Sequence, residues 1–239
     1  MGERSRAIRY GTDASQFGEL SLPDGRPRGV VVVIHGGFWK SAYDLSLGRP
    51  LAESLVAEGW AAWNLEYRRV GNGGGTPETF DDVAAGIDRL ATVEGLDLTT
   101  VVTLGHSAGG HLAAWAAGRP DAAVGVTGVV SQAGVLDLVR AHELGLGGGA
   151  VEGLLGHPPV PADATFDPFQ QLPLDVPVRC MHGRADDVVP IEISERYVAA
   201  ASDAGGDAAL TAVEGDHFVV IHPRSEAWQL TLRLLDELA

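Results

Sequence analysis

An α/β fold, with a mostly parallel central sheet and helices on both faces, is the architecture this sequence predicts. Three observations predict it: short aliphatic runs that suit strands buried on both sides, helical stretches alternating with them, and turn residues bounding most of the runs. The strand candidates are Val30–Ile34, Ala61–Leu65 and residues 101–104, 125–130, 178–181 and 210–213, all rich in β-branched and aliphatic side chains. Helical spacing runs over 47–58, 77–93, 108–117, 191–204 and 224–238. The second of these has Thr76 as candidate N-cap and Pro77 at the first helical position. In the last, Trp228, Leu230, Leu234 and Leu235 form a core-facing stripe.

Two regions break the alternation. Residues 71–75 are a glycine-rich loop. Residues 135–176 hold no clear strand, a possible helix near 136–144, a glycine cluster at 145–149 and several prolines. This stretch reads as a short lid-like excursion from the sheet within one domain spanning 1–239.

The composition, 45% hydrophobic and 21% charged, is that of an ordinary globular chain. Seventeen basic against 32 acidic residues give a net charge of −15, which argues against a nucleic-acid partner. No apolar run follows the first ten residues as a secretory signal requires, and none is long enough to span a bilayer, so no membrane partner is expected. The single cysteine, Cys180, excludes an internal disulfide and a cysteine-based metal site, so a cytoplasmic location is the expectation.

The chemistry-bearing residues begin with Gly105-His106-Ser107-Ala108-Gly109. A serine on a tight strand-to-helix turn needs neighbours without bulk, and here an apolar strand precedes it and a helical segment follows. In a chain with 32 glycines the pattern alone could be an ordinary turn; its flanks make Ser107 a candidate nucleophile. His35-Gly36-Gly37-Phe38-Trp39 follows the first long strand, and adjacent glycines let backbone N–H groups face a developing oxyanion. Taken alone, the same segment would equally suit a strand-ending turn with packed aromatics. Phe38 and Trp39 are candidates to shape a substrate pocket, and Ala108 N–H is a further donor. Asp186 and Asp187 both lie in the loop after a strand, and either suits an acid that orients a histidine. His217 follows the last strand, giving the order Ser, Asp, His. His222 is its rival, but His222-Pro223 suits a helix start. His35, His106 and His182 each adjoin a glycine at a strand end and read as structural, while His111, His142 and His157 have no convergent partners in the sequence.

These motifs, together with Tyr10-Gly-x-Asp-x-Ser-Gln16, Glu66-Tyr67-Arg68, His182-Gly-x-x-Asp186 and Asp216-His217-Phe218, resemble the carboxylesterase and arylformamidase-like group of α/β-hydrolases that carries H-G-G-x-W. The likeness runs over nearly the whole chain. It implies the α/β-hydrolase fold, a triad of Ser107, Asp186 and His217, and oxyanion donors at Gly37, Phe38 and Ala108. It further implies two-step acyl transfer on a small-molecule ester or formamide, with no metal and no cofactor. Kynurenine formamidases often carry tyrosine where Phe38 stands, so a hydroxyl role at that position is lost here. Two other readings fit the sequence less well. A non-catalytic binding protein of this fold would typically lack a triad member. The match of Gly145-Leu-Gly-Gly-Gly-Ala150 to a dinucleotide fingerprint follows a helix-like segment rather than a strand.

Overall fold

The computed structural model describes residues 5–239; residues 1–4, part of the N-terminal segment in which no secretory signal is expected, lie outside the described residues. Eight strands form one sheet: β1 (Ser5–Arg9), β2 (Phe17–Ser21), β3 (Val30–Ile34), β4 (Ala61–Leu65), β5 (Val101–His106), β6 (Gly128–Gln132), β7 (Val178–Gly183) and β8 (Ala208–Val213). Their order is β1-β2-β4-β3-β5-β6-β7-β8. The pairs β1–β2 and β2–β4 are antiparallel and the others parallel. Seven helices accompany them: α1 (Arg49–Ala57), α2 (Glu78–Asp88), α3 (Ala108–Gly118), α4 (Leu138–Glu143), α5 (Ala150–Leu155), α6 (Glu192–Asp203) and α7 (Glu226–Glu237). This is the α/β-hydrolase fold expected from the sequence.

Strand β3 shows why an unbroken aliphatic run belongs at the centre. Successive side chains point to opposite faces. Val30, Val32 and Ile34 join one core with Phe80, Val83 and Ile87 of α2 and Leu112 of α3. Val31 and Val33 join the other, with Leu51 and Leu55 of α1 and Trp228 and Leu235 of α7. No position of β3 has a solvent side, so none is polar.

Four details differ from the sequence reading. Strands β1 and β2 were not expected; the exposed, charged SRAIR of β1 lies at the sheet edge and buries too little to show an apolar pattern. The strand expected over 125–130 runs from Gly128 to Gln132 instead. Asp88 and Arg119 hold the preceding chain by bonding Val124 N and O at 3.1 and 3.2 Å. At α2, Pro77 is the N-cap and has no side-chain bond, while Thr76 Oγ1 is buried with no hydrogen-bond partner among the described residues. Thr79 serves this turn instead, accepting from Gly75 N and donating to Arg68 O. Helix α7 begins at Glu226, capped by Ser225 Oγ, which accepts from Trp228 N at 3.0 Å.

The 135–176 stretch holds α4, α5 and three short 3-10 turns. Its glycine cluster is a turn with left-handed backbone at Gly145, Gly147, Gly148 and Gly149, between two helices rather than after a strand. Asp167 is buried here, and burial, aided by the charge of Asp137, pushes its carboxyl up to about 7. A folded-state value above the unfolded one, about 3.9, gives stability that is present below pH 4 and lost as pH rises through 7. Between pH 5 and pH 8 the wild type should therefore lose about 2 kcal/mol relative to Asp167→Asn, read from urea unfolding of both proteins. A difference independent of pH would mean that Asp167 ionises normally. Among the described residues, no helix is long and apolar enough to cross a membrane.

Candidate active site

Ser107 joins β5 to α3 at φ 55° and ψ −121°, a backbone conformation strained for a residue with a Cβ. The surroundings hold it there. Ser107 N–H donates to Gln132 O at 2.8 Å, and its carbonyl accepts from Gly110, His111 and Val135 N–H. The flanking glycines are steric necessities. A Cβ at Gly105 would lie 2.0 Å from Gly109 O, and one at Gly109 would lie 2.0 Å from Ile34 O. Gly109→Ala should cost about 3 kcal/mol of stability, whereas Gly125→Ala, which meets nothing within 4 Å, should be near neutral; urea denaturation of the two variants checks this.

His217 sits after β8 and is 2% exposed. Its Nδ1 is 2.6 Å from Asp186 Oδ2. Asp186 Oδ1 accepts from Val188 and Val189 N–H at 2.9 and 2.8 Å. His182 Nε2 adjoins both Asp186 Oδ2, at 3.1 Å, and Val189 O, at 2.8 Å. Two acceptors at one ring nitrogen require the proton there, leaving His182 Nδ1 to accept from Ser194 Oγ at 2.8 Å. Four donors thus converge on one buried carboxylate. Burial opposes its ionisation, but the bonds from His182, His217 and Val189 outweigh burial and hold the carboxyl well below the usual range. An ionised acceptor at Nδ1 keeps the His217 proton on that nitrogen and leaves Nε2 free to accept one. Asp187 is exposed, and His222 is exposed with its Nδ1 on Arg224 N–H.

The two loops meet through His106. Next to the serine in the chain, it donates from Nε2 to His217 O at 2.9 Å and packs ring to ring with His217 at 4.4 Å. Burial, and then the charge of His217, pushes His106 down to about 3, so it stays neutral at physiological pH.

The loop after β3 abuts the serine turn: a Cβ at Gly36 would lie 2.6 Å from His106 O. Gly37, Phe38 and Trp39 all have positive φ, which turns the backbone sharply out of the strand. Among the described residues, no acceptor takes the N–H of Phe38 or Ala108, and Ala108 heads α3, where an N–H has no intrahelical partner. Glu66 anchors this loop. Its carboxylate accepts from Leu45 and Tyr67 N–H at 3.0 and 2.9 Å, contacts His35 Nε2 at 3.1 Å and pairs with Arg69. Tyr67 OH donates to His35 O at 2.7 Å, and the two rings stack at 4.4 Å. Burial again opposes the charge on Glu66, but its hydrogen bonds prevail and lower its pKa.

Trp39 requires a correction. It was expected to line the pocket, yet it is 0% exposed and packs edge-on against His111 at 5.2 Å within the core. The positive-φ turn sends its indole inward. Phe38 faces the excursion instead: a Cβ at Gly147 would lie 2.6 Å from its ring, and Lys40 Nζ donates to Gly147 O at 2.7 Å. The sequence reading also missed the roles of His182, His106 and Glu66 in the site. Only the four-residue spacing of His182 and Asp186 in a tight loop signalled one of them.

The family model BD-FAE matches residues 20–200. Among solved structures, a truncated carbohydrate esterase from gut microbiota aligns with a TM-score of 0.83 at 19% identity, over 99% of this chain and 98% of that one. Esterase Est2 of Thermogutta terrifontis gives 0.77 at 24% identity, over 98% and 91%. Esterase B of Lactobacillus rhamnosis, inhibited by a tributyrin phosphonate, gives 0.84 at 22% identity, over 100% and 87%. Among curated proteins none matches.

Proposed function

Because the chain belongs to the BD-FAE family, we propose that it is a serine esterase that cleaves a carboxylic ester of a small or mid-sized substrate through an acyl-enzyme. The observation that carries this reading is the strained serine at the β5–α3 turn, tied through His106 to a His217 whose Nδ1 is bonded to a four-donor Asp186. Ser107 Oγ attacks the carbonyl carbon as His217 Nε2 takes its proton. Negative charge then gathers on the former carbonyl oxygen, where the N–H groups of Gly37, Phe38 and Ala108 are the donors. His217 returns the proton to the departing alcohol. Water, deprotonated by His217, then cleaves the acyl-serine and restores the hydroxyl. Asp186 keeps its charge throughout and stabilises the imidazolium.

On this reading residues 1–239 act as one catalytic domain, and 135–176 form a small lid whose Gly147 rests on Phe38. Esterase neighbours described as propionate-bound and butyrate-bound favour short acyl groups here too. The test is a rate comparison on p-nitrophenyl acetate, a long-chain p-nitrophenyl ester and N-formylkynurenine. Fastest turnover of the acetate is the expected result. A faster long-chain ester would remove the size assignment, and faster formamide cleavage would make the protein an arylformamidase. Failure of a folded protein on all three would favour a binding protein.

A further inference from the structure

The hydrogen-bond network around Asp186 does not end at His217. His182, on β7, donates from Nε2 to Asp186 Oδ2, at 3.1 Å, and to Val189 O, at 2.8 Å. Its Nδ1 accepts from Ser194 Oγ of α6 at 2.8 Å, and Ser194 Oγ is bonded in turn to the Cys180 thiol. His182, Ser194 and Cys180 are all 0% exposed. One carboxylate oxygen therefore stands between two histidines, with the Nδ1–H of His217 at 2.6 Å and the Nε2–H of His182 both directed at Oδ2. No step of the acyl transfer uses His182. A residue that only filled the space between β7 and α6 could be aliphatic, whereas here each hydrogen has one direction, from Ser194 through His182 to Asp186.

A carboxylate oxygen that accepts two hydrogen bonds attracts each proton less strongly than one that accepts a single bond. The imidazolium of His217 gains more from Oδ2 than the neutral ring does, so a second donor on that oxygen favours the neutral, proton-accepting ring. We propose that His182 is a positioning residue for the ester cleavage, acting through Asp186: held between Ser194 and Val189 O, it fixes Oδ2 against His217 and restrains the pull of that oxygen on the His217 proton. The inference rests on the serine-esterase reading above. Of the other ionisable groups packed here, His106 of β5 stays neutral, and burial raises the Cys180 thiol to about 12 and the Tyr197 hydroxyl of α6 above its ordinary range. Asp187 and Asp216, on the two loops, are exposed.

The test is the pH dependence of kcat/KM on p-nitrophenyl acetate for the wild type, His182→Leu and His182→Gln, with folding checked by circular dichroism. Leucine has no donor, so Oδ2 should hold the His217 proton more firmly and the acid limb should move up by about half a pH unit, part of the strength of one charge-assisted hydrogen bond. Glutamine carries its Nε2 as many bonds from Cβ as histidine does, with one hydrogen for Asp186 Oδ2 and one for Val189 O, so its limb should stay at the wild-type position. An unmoved limb in folded His182→Leu, even at a lower rate, would show packing alone and overturns the proposal. A glutamine limb that moves as far as the leucine one overturns it too. Because leucine strips Ser194 Oγ and Val189 O of a partner, long-range proton–nitrogen correlation spectra of the wild type accompany the kinetics. The His182 Nε2 resonance should move with the same midpoint as the His217 ring, since the two share Oδ2. A His182 signal unmoved through the titration of His217 overturns the proposal whether or not the variants fold. A wild type that cleaves no ester removes the serine-esterase reading, and the spectra then decide the link from His182 to His217 on their own.

Discussion

Ser107→Ala should lower kcat on p-nitrophenyl acetate by about 10⁴-fold or more while the protein stays folded. The size follows from the chemistry: without Oγ no acyl-enzyme forms, and only polarisation by the backbone donors remains. Folding should persist because backbone groups hold the turn. Ser107 N–H and O make four hydrogen bonds that alanine keeps, and alanine occupies the same φ with no larger Cβ. Circular dichroism and a urea midpoint within error of wild type would establish this. Ser107→Gly should be equally inactive but more stable by about 1 kcal/mol, because glycine relieves the positive φ. A Ser107→Ala protein that is folded and fully active would remove the nucleophile assignment.

Asp186→Asn is the second large effect, with an expected fall in kcat of about 10³- to 10⁴-fold and little change in KM. The carboxylate accepts from four N–H donors, two on each oxygen. An asparagine can satisfy the Val188 and Val189 amides with its carbonyl oxygen, but its NH₂ then faces the N–H groups of His182 and His217. His217 relieves the clash by moving its proton to Nε2, which leaves no base toward Ser107. Reversing the amide instead would set its NH₂ against the two backbone amides. Pre-steady-state acylation with p-nitrophenyl acetate would show a slow burst at unchanged substrate affinity. Asp187→Asn, at an exposed position, is the control and should retain full rate.

How much of this was legible in the sequence depended on how local the cause was. Strands β3 and β4 were placed to the residue because both faces are buried, so the apolar run starts and stops with the strand. Strand β1 was not, because an edge strand of charged residues leaves no hydrophobic period to read. The turn at Ser107 could be recognised because its steric demand falls on residues two places away, and glycine is the only answer at both. Which of Asp186 and Asp187 faces His217 could not be read from adjacent identical residues. It depends on how the Val188–Val189 amides turn the loop. Glu66 shows the limit most plainly: its partners at 35, 45, 67 and 69 come together only when β3 and β4 pair in parallel. Trp39 failed for a different reason. An aromatic beside an oxyanion-type glycine pair suggested a pocket wall, but direction is set by φ, and the left-handed turn points it into the core.

The most direct test of the serine-esterase reading is covalent labelling with a fluorophosphonate, followed by intact mass and peptide mapping. The expected result is one adduct per chain, on the peptide containing Ser107, with no adduct on Ser107→Ala. A folded wild type that takes no label, or one labelled on another residue and equally in Ser107→Ala, would contradict it.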